Sequence, residues 1–444
     1  MAAMAAAWLV HRWAKLAAGD PAYAYGAVGN LLALVGLPLL VAMVALGSRF
    51  PLVERAFGLD RMLRAHKLLA KVVVCVFLAH ALLRTLKLSM QAGEGWQWSA
   101  LLSIGKGGAA MAAGRLALLG MIVLSPLALL GGRLVPWRVW KPAHLLLYPA
   151  VVLGFLHAKF RGDDLGSFPY DVVWYLLALM LAAILAYRAV YRILRRRWGE
   201  WSVAEAVEET HDTRSLGLAP AESIGPFGLR HAGQFATIRL KRRVGWTEPR
   251  PFTISSPPGD EQLRFTIKKA GWLSAAAHSL RPGARLFCEG PYGVFTPDFE
   301  RERNLVLIAG GVGVTPFLSA IRYAHRAAPQ THVTLVWGNK TPADIIAREE
   351  LENLTKCMWL KVVHVFSVHG EGAGPGQPPA DGGAAGVFYE RGFVKSELLK
   401  KHVDPHGASF YLCGPPAMQR FVLRELRKAF GVRRRQVKRE LFFW

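Results

Sequence analysis

The residues of this 444-residue chain best equipped for chemistry are four histidines set in two apolar stretches. In DRMLRAHKLLAKVVVCVFLAHALLRTLK, residues 60–87, His66 and His80 are 14 positions apart. On a helix that spacing separates them by roughly 21 Å along the axis and only about 40° around it, so both face the same side. The stretch KPAHLLLYPAVVLGFLHAKF carries His144 and His157 in a similar arrangement. Two apolar helices, each offering an imidazole at each of two depths, form a pair of stacked metal sites. Ionisable groups inside a membrane tend to be functional, and neutral imidazole is a common axial ligand of haem iron. Zinc would require further Cys, His or carboxylate ligands beside each pair, and none is evident. One lone membrane histidine reads as a packing residue; four at matched depths read as ligands. The second pair is 13 apart, which on an ideal helix puts the rings about 140° apart. Pro149 lies between them and predicts a kink.

Further along, chemistry-bearing motifs of another kind appear. Arg250-Pro251-Phe252-Thr253-Ile254-Ser255-Ser256 offers a cationic fork for a phosphate, an aromatic for a ring face and a hydroxyl beside it. Gly271-Trp272-Leu273-Ser274 opens an alanine-rich helical run, where a small residue and a hydroxyl suit a pyrophosphate; an ordinary helix cap is the alternative. LVLIAG runs into Gly310-Gly311-Val312-Gly313-Val314-Thr315-Pro316 and then FLSAIRYAHRAA, a glycine turn between strand and helix that lets dinucleotide phosphates approach the backbone. Asn339 and Lys340 follow the next strand, where a ribose 2′-phosphate would be met and where Lys340 favours NADPH; a solvated lysine is the alternative.

The elements that must position these groups follow from composition and periodicity. The chain is 52% hydrophobic and 19% charged, with its apolar residues concentrated in the first 190 positions. Residues 2–16 read as an interfacial helix or a weak first span, and clear spans are predicted at about 26–47, 62–83, 110–131, 141–159 and 170–190. No basic region or cleavage site accompanies the apolar start, so a removed signal peptide is not expected. Loops around 49–64 and 133–141 and the exit at 188–197 are basic, whereas Lys159, Arg161, Asp163 and Asp164 cancel in the loop between. The positive-inside rule therefore puts the C-terminal half in the cytoplasm. Arg84, one turn beyond His80, is expected to snorkel; the alternative is that it helps hold an anion or a haem propionate there. The net charge of +24 fits basic cytoplasmic loops, and no nucleic-acid-binding motif is present. Four scattered cysteines indicate neither a disulfide framework nor a thiolate metal site. QFATIRL, QLRFTIKKA and ARLFCEG predict an antiparallel barrel over about 200–297. LVLIAG, VTLVWG, VVHVFSV and FYLCGPP alternate with helices, predicting a parallel α/β sheet over 298–444. Residues 369–386 are low-complexity and read as a loop.

With these motifs in order, the chain resembles the NADPH oxidase and ferric reductase transmembrane superfamily, specifically its compact bacterial members. The resemblance runs from about residue 26 to 444 and rests on the paired histidine spacings, RPFTISS, GGVGVTP, YLCGPP and the aromatic terminus. It implies a multi-domain membrane protein: an all-α haem bundle (1–199), an antiparallel β-barrel FAD domain (200–297) and an α/β NAD(P)H domain (298–444). By resemblance, His66 with His144 would ligate an inner b-type haem and His80 with His157 an outer one. Arg250, Pro251, Phe252 and Thr253 would form the flavin motif, with Arg250 at a flavin phosphate and Thr253 near the reactive ring. Gly271 and Ser274 would hold the FAD pyrophosphate. Gly310, Gly311, Gly313, Thr315 and Pro316 would form the NAD(P)H phosphate turn, and Cys413, Gly414 and Pro415 the nicotinamide side. Trp444 resembles the terminal aromatic that stacks on flavin and moves aside for nicotinamide. The family usually has Phe there, and often His where this chain has Arg250. No EF-hand loop is present, which sets aside the calcium-regulated branch.

The expected activity is electron transfer from NADPH or NADH through FAD and two b-type haems to an external acceptor. Oxygen, giving superoxide, is the leading acceptor; a ferric chelate or another periplasmic acceptor is the alternative. Thr253, Cys413 and Trp444 would lie at the reaction. The expected setting is the bacterial inner membrane, with lipid and a small-molecule acceptor as partners, no nucleic acid and no obligate protein partner. The rivals are a haem-binding subunit that donates electrons to a partner protein, and a membrane-anchored flavin reductase whose histidines only pack.

Overall fold

The computed structural model describes residues 2–93, 107–165, 168–243, 245–367 and 385–440. It divides into two compact units, Met1–Tyr191 and Arg192–Trp444.

The first unit is helical. Its helices are α1 (Ala2–Ala17), α2 (Pro21–Gly47), α3 (Pro51–Phe57), α4 (Leu59–Ala92), α5 (Gly108–Leu134), α6 (Trp137–Leu145), α7 (Leu147–Arg161) and α8 (Tyr170–Trp198). Helix α2 starts where Pro21 follows Asp20, whose carboxylate accepts the Ala22 amide at 2.9 Å. Among the described residues, five segments are long and apolar enough to cross a membrane: Pro21–Gly47, Arg61–Ala92, Gly108–Ala128, Val139–Arg161 and Tyr170–Tyr191. Helix α1 is not one of them. It is tied down instead, with buried Trp8 donating to Asp164 at 3.4 Å and Arg12 pairing with Asp164 and donating to Tyr23 at 3.1 Å.

Helix α4 packs chiefly on α2, and α7 chiefly on α5. Glycines make both contacts close: a Cβ on Gly36 would lie 3.0 Å from the Phe77 ring, and one on Gly120 3.2 Å from Ala150. Between helices in lipid, such small residues let backbones approach where no hydrophobic drive exists. The segment expected as one kinked span is two helices, interrupted at Leu146. Pro149 accounts for the position of the break: its ring disfavours a helical carbonyl four residues earlier, at Leu145, where α6 ends. The 13-residue spacing of His144 and His157 is therefore not measured along one ideal helix, and the 140° objection lapses.

In the second unit, β1 (Glu200–Thr210), β2 (Thr213–Pro220), β3 (Phe235–Leu240), β4 (Arg250–Thr253), β5 (Leu263–Lys268) and β6 (Arg285–Tyr292) form an antiparallel sheet in the order β4-β3-β6-β1-β2-β5. An Ile254–Phe265 bridge joins its two edges into a barrel. Trp201, Phe227, Ile254, Phe265 and Leu286 fill the interior, and α9 (Trp272–His278) packs on it. Pro251 is accommodated because β4 is an end strand, paired only with β3.

The rest is a parallel sheet, β10-β9-β8-β7-β11-β12, built from β7 (Asn304–Gly310), β8 (His332–Asn339), β9 (Leu360–Phe366), β10 (Val387–Arg391), β11 (Ala408–Cys413) and β12 (Val437–Glu440). Helices α10 (Thr315–Ala327), α11 (Arg348–Cys357), α12 (Ser396–His402) and α13 (Pro416–Phe430) cover it. Strand order reverses between β7 and β11, and in such sheets ligands bind beyond the carboxyl ends of the strands at that point. The glycine turn follows β7 and the CGPP turn follows β11, one on each side of the switch. The expected loop at 369–386 falls almost wholly outside the described residues.

Candidate functional site

The four histidines are held in a common way. His66 Nδ1 lies 2.8 Å from the Met43 carbonyl, His80 Nδ1 2.7 Å from that of Gly29, and His157 Nδ1 2.9 Å from that of Ala110. Each of these rings therefore donates from Nδ1 to a neighbouring helix and keeps Nε2 as its lone-pair nitrogen. That is the second-shell arrangement that orients histidine ligands on metals. His144 differs: its Nδ1 is buried without a partner among the described residues, and its ring stacks on Trp140 at 5.0 Å. His66 and His144 lie with ring centroids 6.2 Å apart. Imidazoles sharing one metal through bonds of about 2 Å would have centroids roughly 6 Å apart. His80 and His157 are electrostatic neighbours at the other level. The His66–His144 pair thus fits a bis-imidazole metal centre.

Glycines make room for these rings. A Cβ on Gly47 would lie 3.0 Å from His66, and one on Gly114 would lie 2.5 Å from His157 Nδ1. Sequence reasoning passed over both, although a signal was there. Gly26, Gly29, Gly36 and Gly47 recur at intervals of 3, 7 and 11, which confines them to about 80° of one helix face.

Arg84 reaches the loop that follows α7. Its guanidinium meets Asp163 at 2.9 Å and Asn30 at 3.1 Å, and Asn30 also donates to Asp163. Asp164 pairs with Arg12, and Lys159 with Asp171. Three of the four loop charges, Lys159, Asp163 and Asp164, are thus paired with side chains outside the loop.

In the second unit, Thr253 is buried at the end of β4, opposite Phe235, while Pro251 and Phe252 are half-buried. Arg250 is 43% exposed and meets Glu248 at 3.4 Å, a weak constraint that leaves it able to turn to an anion. Ser274 is otherwise engaged. Its hydroxyl receives the Ala270 and Gly271 amides, each at 2.9 Å, and donates to the Gly271 carbonyl. It caps its own helix, so phosphate contact there falls to the backbone beside Gly271, which has no neighbour within 4 Å of a Cβ position.

The two turns at the switch point touch each other. A Cβ on Gly313 would lie 2.5 Å from the Cys413 carbonyl, and one on Gly310 would strike Met418. Gly311 has φ +53 and open space beside it, leaving its backbone approachable. Thr315 is buried with its hydroxyl on the Val312 carbonyl at 3.0 Å, so it and buried Pro316 shape the turn from behind. Cys413 is fully buried, and burial pushes its thiol well above its ordinary pKa. Cys413 contributes its backbone carbonyl to the contact between the two turns. Asn339 is buried with both amide atoms unpartnered among the described residues, and Lys340 beside it is exposed. Trp444 lies outside the described residues.

A further set of contacts ties flavin strand to dinucleotide helix. On α10, Ser319 donates to the Ser256 carbonyl at 2.8 Å and Arg322 to the Ser255 carbonyl at 2.6 Å. Arg322 also grips Glu350 through two hydrogen bonds of 2.7 and 2.6 Å. Burial alone would raise the Glu350 carboxyl, but Arg322 holds it below its ordinary value.

Residues 31–155 match the family described as ferric reductase like transmembrane component, and residues 307–424 match the oxidoreductase NAD-binding domain. Together these two matches fit the NADPH oxidase and ferric reductase superfamily. The chain is also similar to the flavohemoprotein of Bacillus subtilis, 26% identical over 50% of this chain and 54% of that protein. It is 29% identical to the sulfhydrogenase 2 gamma subunit of Pyrococcus furiosus over 44% of this chain and 66% of that one. With the reductase component of Mycolicibacterium smegmatis propane 2-monooxygenase it shares 30% identity over 48% and 59%. The chain thus spans about half to two thirds of the length of these relatives. Among solved structures, it is similar to the cytochrome b5 reductase domain of Ulva prolifera nitrate reductase (TM-score 0.46, 19% identity, 56% of this chain and 98% of that one). It is likewise similar to the FAD/NAD-binding domain of Vibrio cholerae nitric oxide dioxygenase (TM-score 0.45, 22% identity, 56% and 99%).

Proposed function

We propose that this superfamily member carries electrons from NAD(P)H through FAD and two b-type haems to an acceptor on the far side of a bacterial inner membrane, with oxygen reduced to superoxide. The observation that carries the reading is the histidine set: four half-buried imidazoles, three of them anchored through Nδ1, in a bundle fused to an oxidoreductase NAD-binding domain. Flavin supplies the conversion between hydride and single electrons, and haem iron supplies the one-electron carriers.

The chain's own residues do the holding and orienting. His66 with His144 would hold one haem and His80 with His157 the other, each through Nε2. Arg250 would meet a flavin phosphate, and Phe252 and Thr253 would border the ring. Backbone at Gly310, Gly311 and Gly313 would take the dinucleotide phosphates, and residues 413–415 would bear the nicotinamide. Asn339 and Lys340 would meet the adenosine ribose, Lys340 through a 2′-phosphate. The NAD(P)H and FAD sites would face the cytoplasm.

A ferric chelate is the second reading, favoured by Arg161, four residues beyond His157 in the last turn of α7. Dye reduction sensitive to superoxide dismutase supports oxygen; insensitivity together with ferric-chelate reduction supports the metal complex. For the route itself, His80→Ala is expected to leave NADPH-driven flavin reduction intact and abolish reduction of an external acceptor. Full external activity in that variant would refute the route.

A further inference from the structure

We infer that Glu209 is a positioning residue: it closes a ring of hydrogen bonds that fixes the segment following Asn339 and Lys340 against the strand that follows the flavin motif. The inference rests on the cofactor reading of those two segments given above. Glu209 lies near the end of β1 and is half-buried. Its Oε2 accepts the Ala347 amide at 3.0 Å and its Oε1 the Ser215 hydroxyl at 2.5 Å. Ser215 Oγ lies 2.8 Å from Thr266 Oγ1, which lies 3.0 Å from Ser255 Oγ. All three of these hydroxyl residues are buried. A carboxylate only accepts, so the hydroxyls donate in sequence towards it. From Ser255 the path returns through its carbonyl to Arg322 at 2.6 Å, on to Glu350, and along the first turn of α11 to Ala347. One closed circuit thus joins the barrel to the dinucleotide sheet at two places.

Ala347 shows why the carboxylate matters. It holds φ +51 and ψ +41, left-handed backbone that a residue with a Cβ rarely adopts. In the second unit it is the only described non-glycine residue with positive φ. Such strain persists only where the surroundings over-determine it, and here the Glu209 carboxylate takes the strained residue's own amide. Ala347 stands between the loop from Lys340 and α11, so its conformation sets how one leads into the other. Ser255, at the far side of the circuit, lies two residues beyond Thr253, which borders the flavin ring in the reading above. Nicotinamide and flavin must approach to about 3.5 Å for hydride to pass. A circuit tied to a binding segment of each holds them in register.

The test compares wild type, Glu209→Gln, Ala347→Gly and the pair in the full-length protein with flavin bound. Glutamine keeps the length but turns an N–H towards one of the two donors. The readouts are hydrogen exchange of residues 341–351 before nicotinamide is added, and the limiting rate and Kd of anaerobic flavin reduction by NADPH in stopped flow. Glu209→Gln is expected to exchange about tenfold faster in that segment. It should also lower the limiting rate by about tenfold or more, with Kd within about twofold of wild type. Glycine takes φ +51 without strain, so the pair is expected to recover the limiting rate to within about threefold of wild type. Wild-type exchange or a wild-type limiting rate in Glu209→Gln overturns the proposal, as does a lost rate that Ala347→Gly leaves unrepaired. Should Glu209→Gln fold poorly, Ser215→Ala opens the circuit at another joint and carries the same expectation for the rate. A wild-type flavin that NADPH does not reduce would instead sink the cofactor reading, while the exchange comparison still decides the circuit.

Discussion

Gly114→Ala is a one-carbon change with a specific consequence. The new methyl carbon would stand 2.5 Å from His157 Nδ1, about 1 Å inside ordinary van der Waals contact. The ring cannot stay where its Nδ1 donates to the Ala110 carbonyl at 2.9 Å, because that bond lies on the side the methyl occupies. Overpacking of this kind costs about 1–3 kcal/mol, and losing a second-shell hydrogen bond lowers metal affinity by roughly 10–100-fold. The expected result is selective loss of the haem held by His80 and His157. Purified Gly114→Ala should contain about one haem per chain where wild type contains about two, by pyridine haemochrome against protein concentration. Gly47→Ala should retain more, because its Cβ would lie 3.0 Å from a His66 carbon and leave the Met43 bond room to adjust. Gly154→Ala, three residues before His157, is the control: its Cβ would meet only Ala117, at 3.9 Å, an ordinary contact. Two haems of unaltered spectrum and potential in Gly114→Ala would show that the glycine is not a seat for the ligand, and the account of the outer pair would fall with it.

Three further outcomes are expected. His364, stacked among Trp337, Phe366 and Tyr389, is held by burial down to a pKa of about 3. Above pH 6.5 it is neutral folded and unfolded alike; below, only the unfolded chain takes up the proton until pH approaches 3. The second unit should therefore lose about 2 kcal/mol between pH 7 and pH 5 from this residue, and urea titrations of His364→Phe should lack that component. Arg322→Leu strips the Glu350 carboxylate and the Ser255 carbonyl of their donor, and should lower stability by about 1–3 kcal/mol; urea unfolding followed by flavin fluorescence checks it, and a change under about 0.5 kcal/mol would contradict the staple. Lys340→Ala should raise KM for NADPH by about tenfold and leave that for NADH unmoved; equal shifts with both cofactors would remove the 2′-phosphate contact.

Much of the fold could be read from residue order, because apolar runs long enough to cross a bilayer and short alternating strands are local patterns. The barrel strands and the four strands around the glycine turn lie where their side-chain periods place them. Ser274 shows the limit: its type and position suit either a phosphate or a helix cap, and only the positions of three neighbouring backbone groups decide for the cap. Cys413 shows another, since thiol burial depends on which strands flank β11, and pairing between distant strands is not a local property.

By itself, the sequence determined that two apolar segments carry imidazoles at two depths, that a glycine turn follows a buried strand, and that the two halves differ in solvent. Those statements depend only on spacing along the chain and on side-chain chemistry. The tertiary structure alone decided that α6 and α7 are separate helices, that carbonyls of Met43, Gly29 and Ala110 orient three of the four rings, that Arg84 pairs with Asp163, and that Gln419 joins the turn after β11 to the end of β12. Each of these joins groups separated by many residues through hydrogen bonds or contacts of a few ångströms. Such distances are set by how helices and strands pack, which no periodicity along a single segment contains.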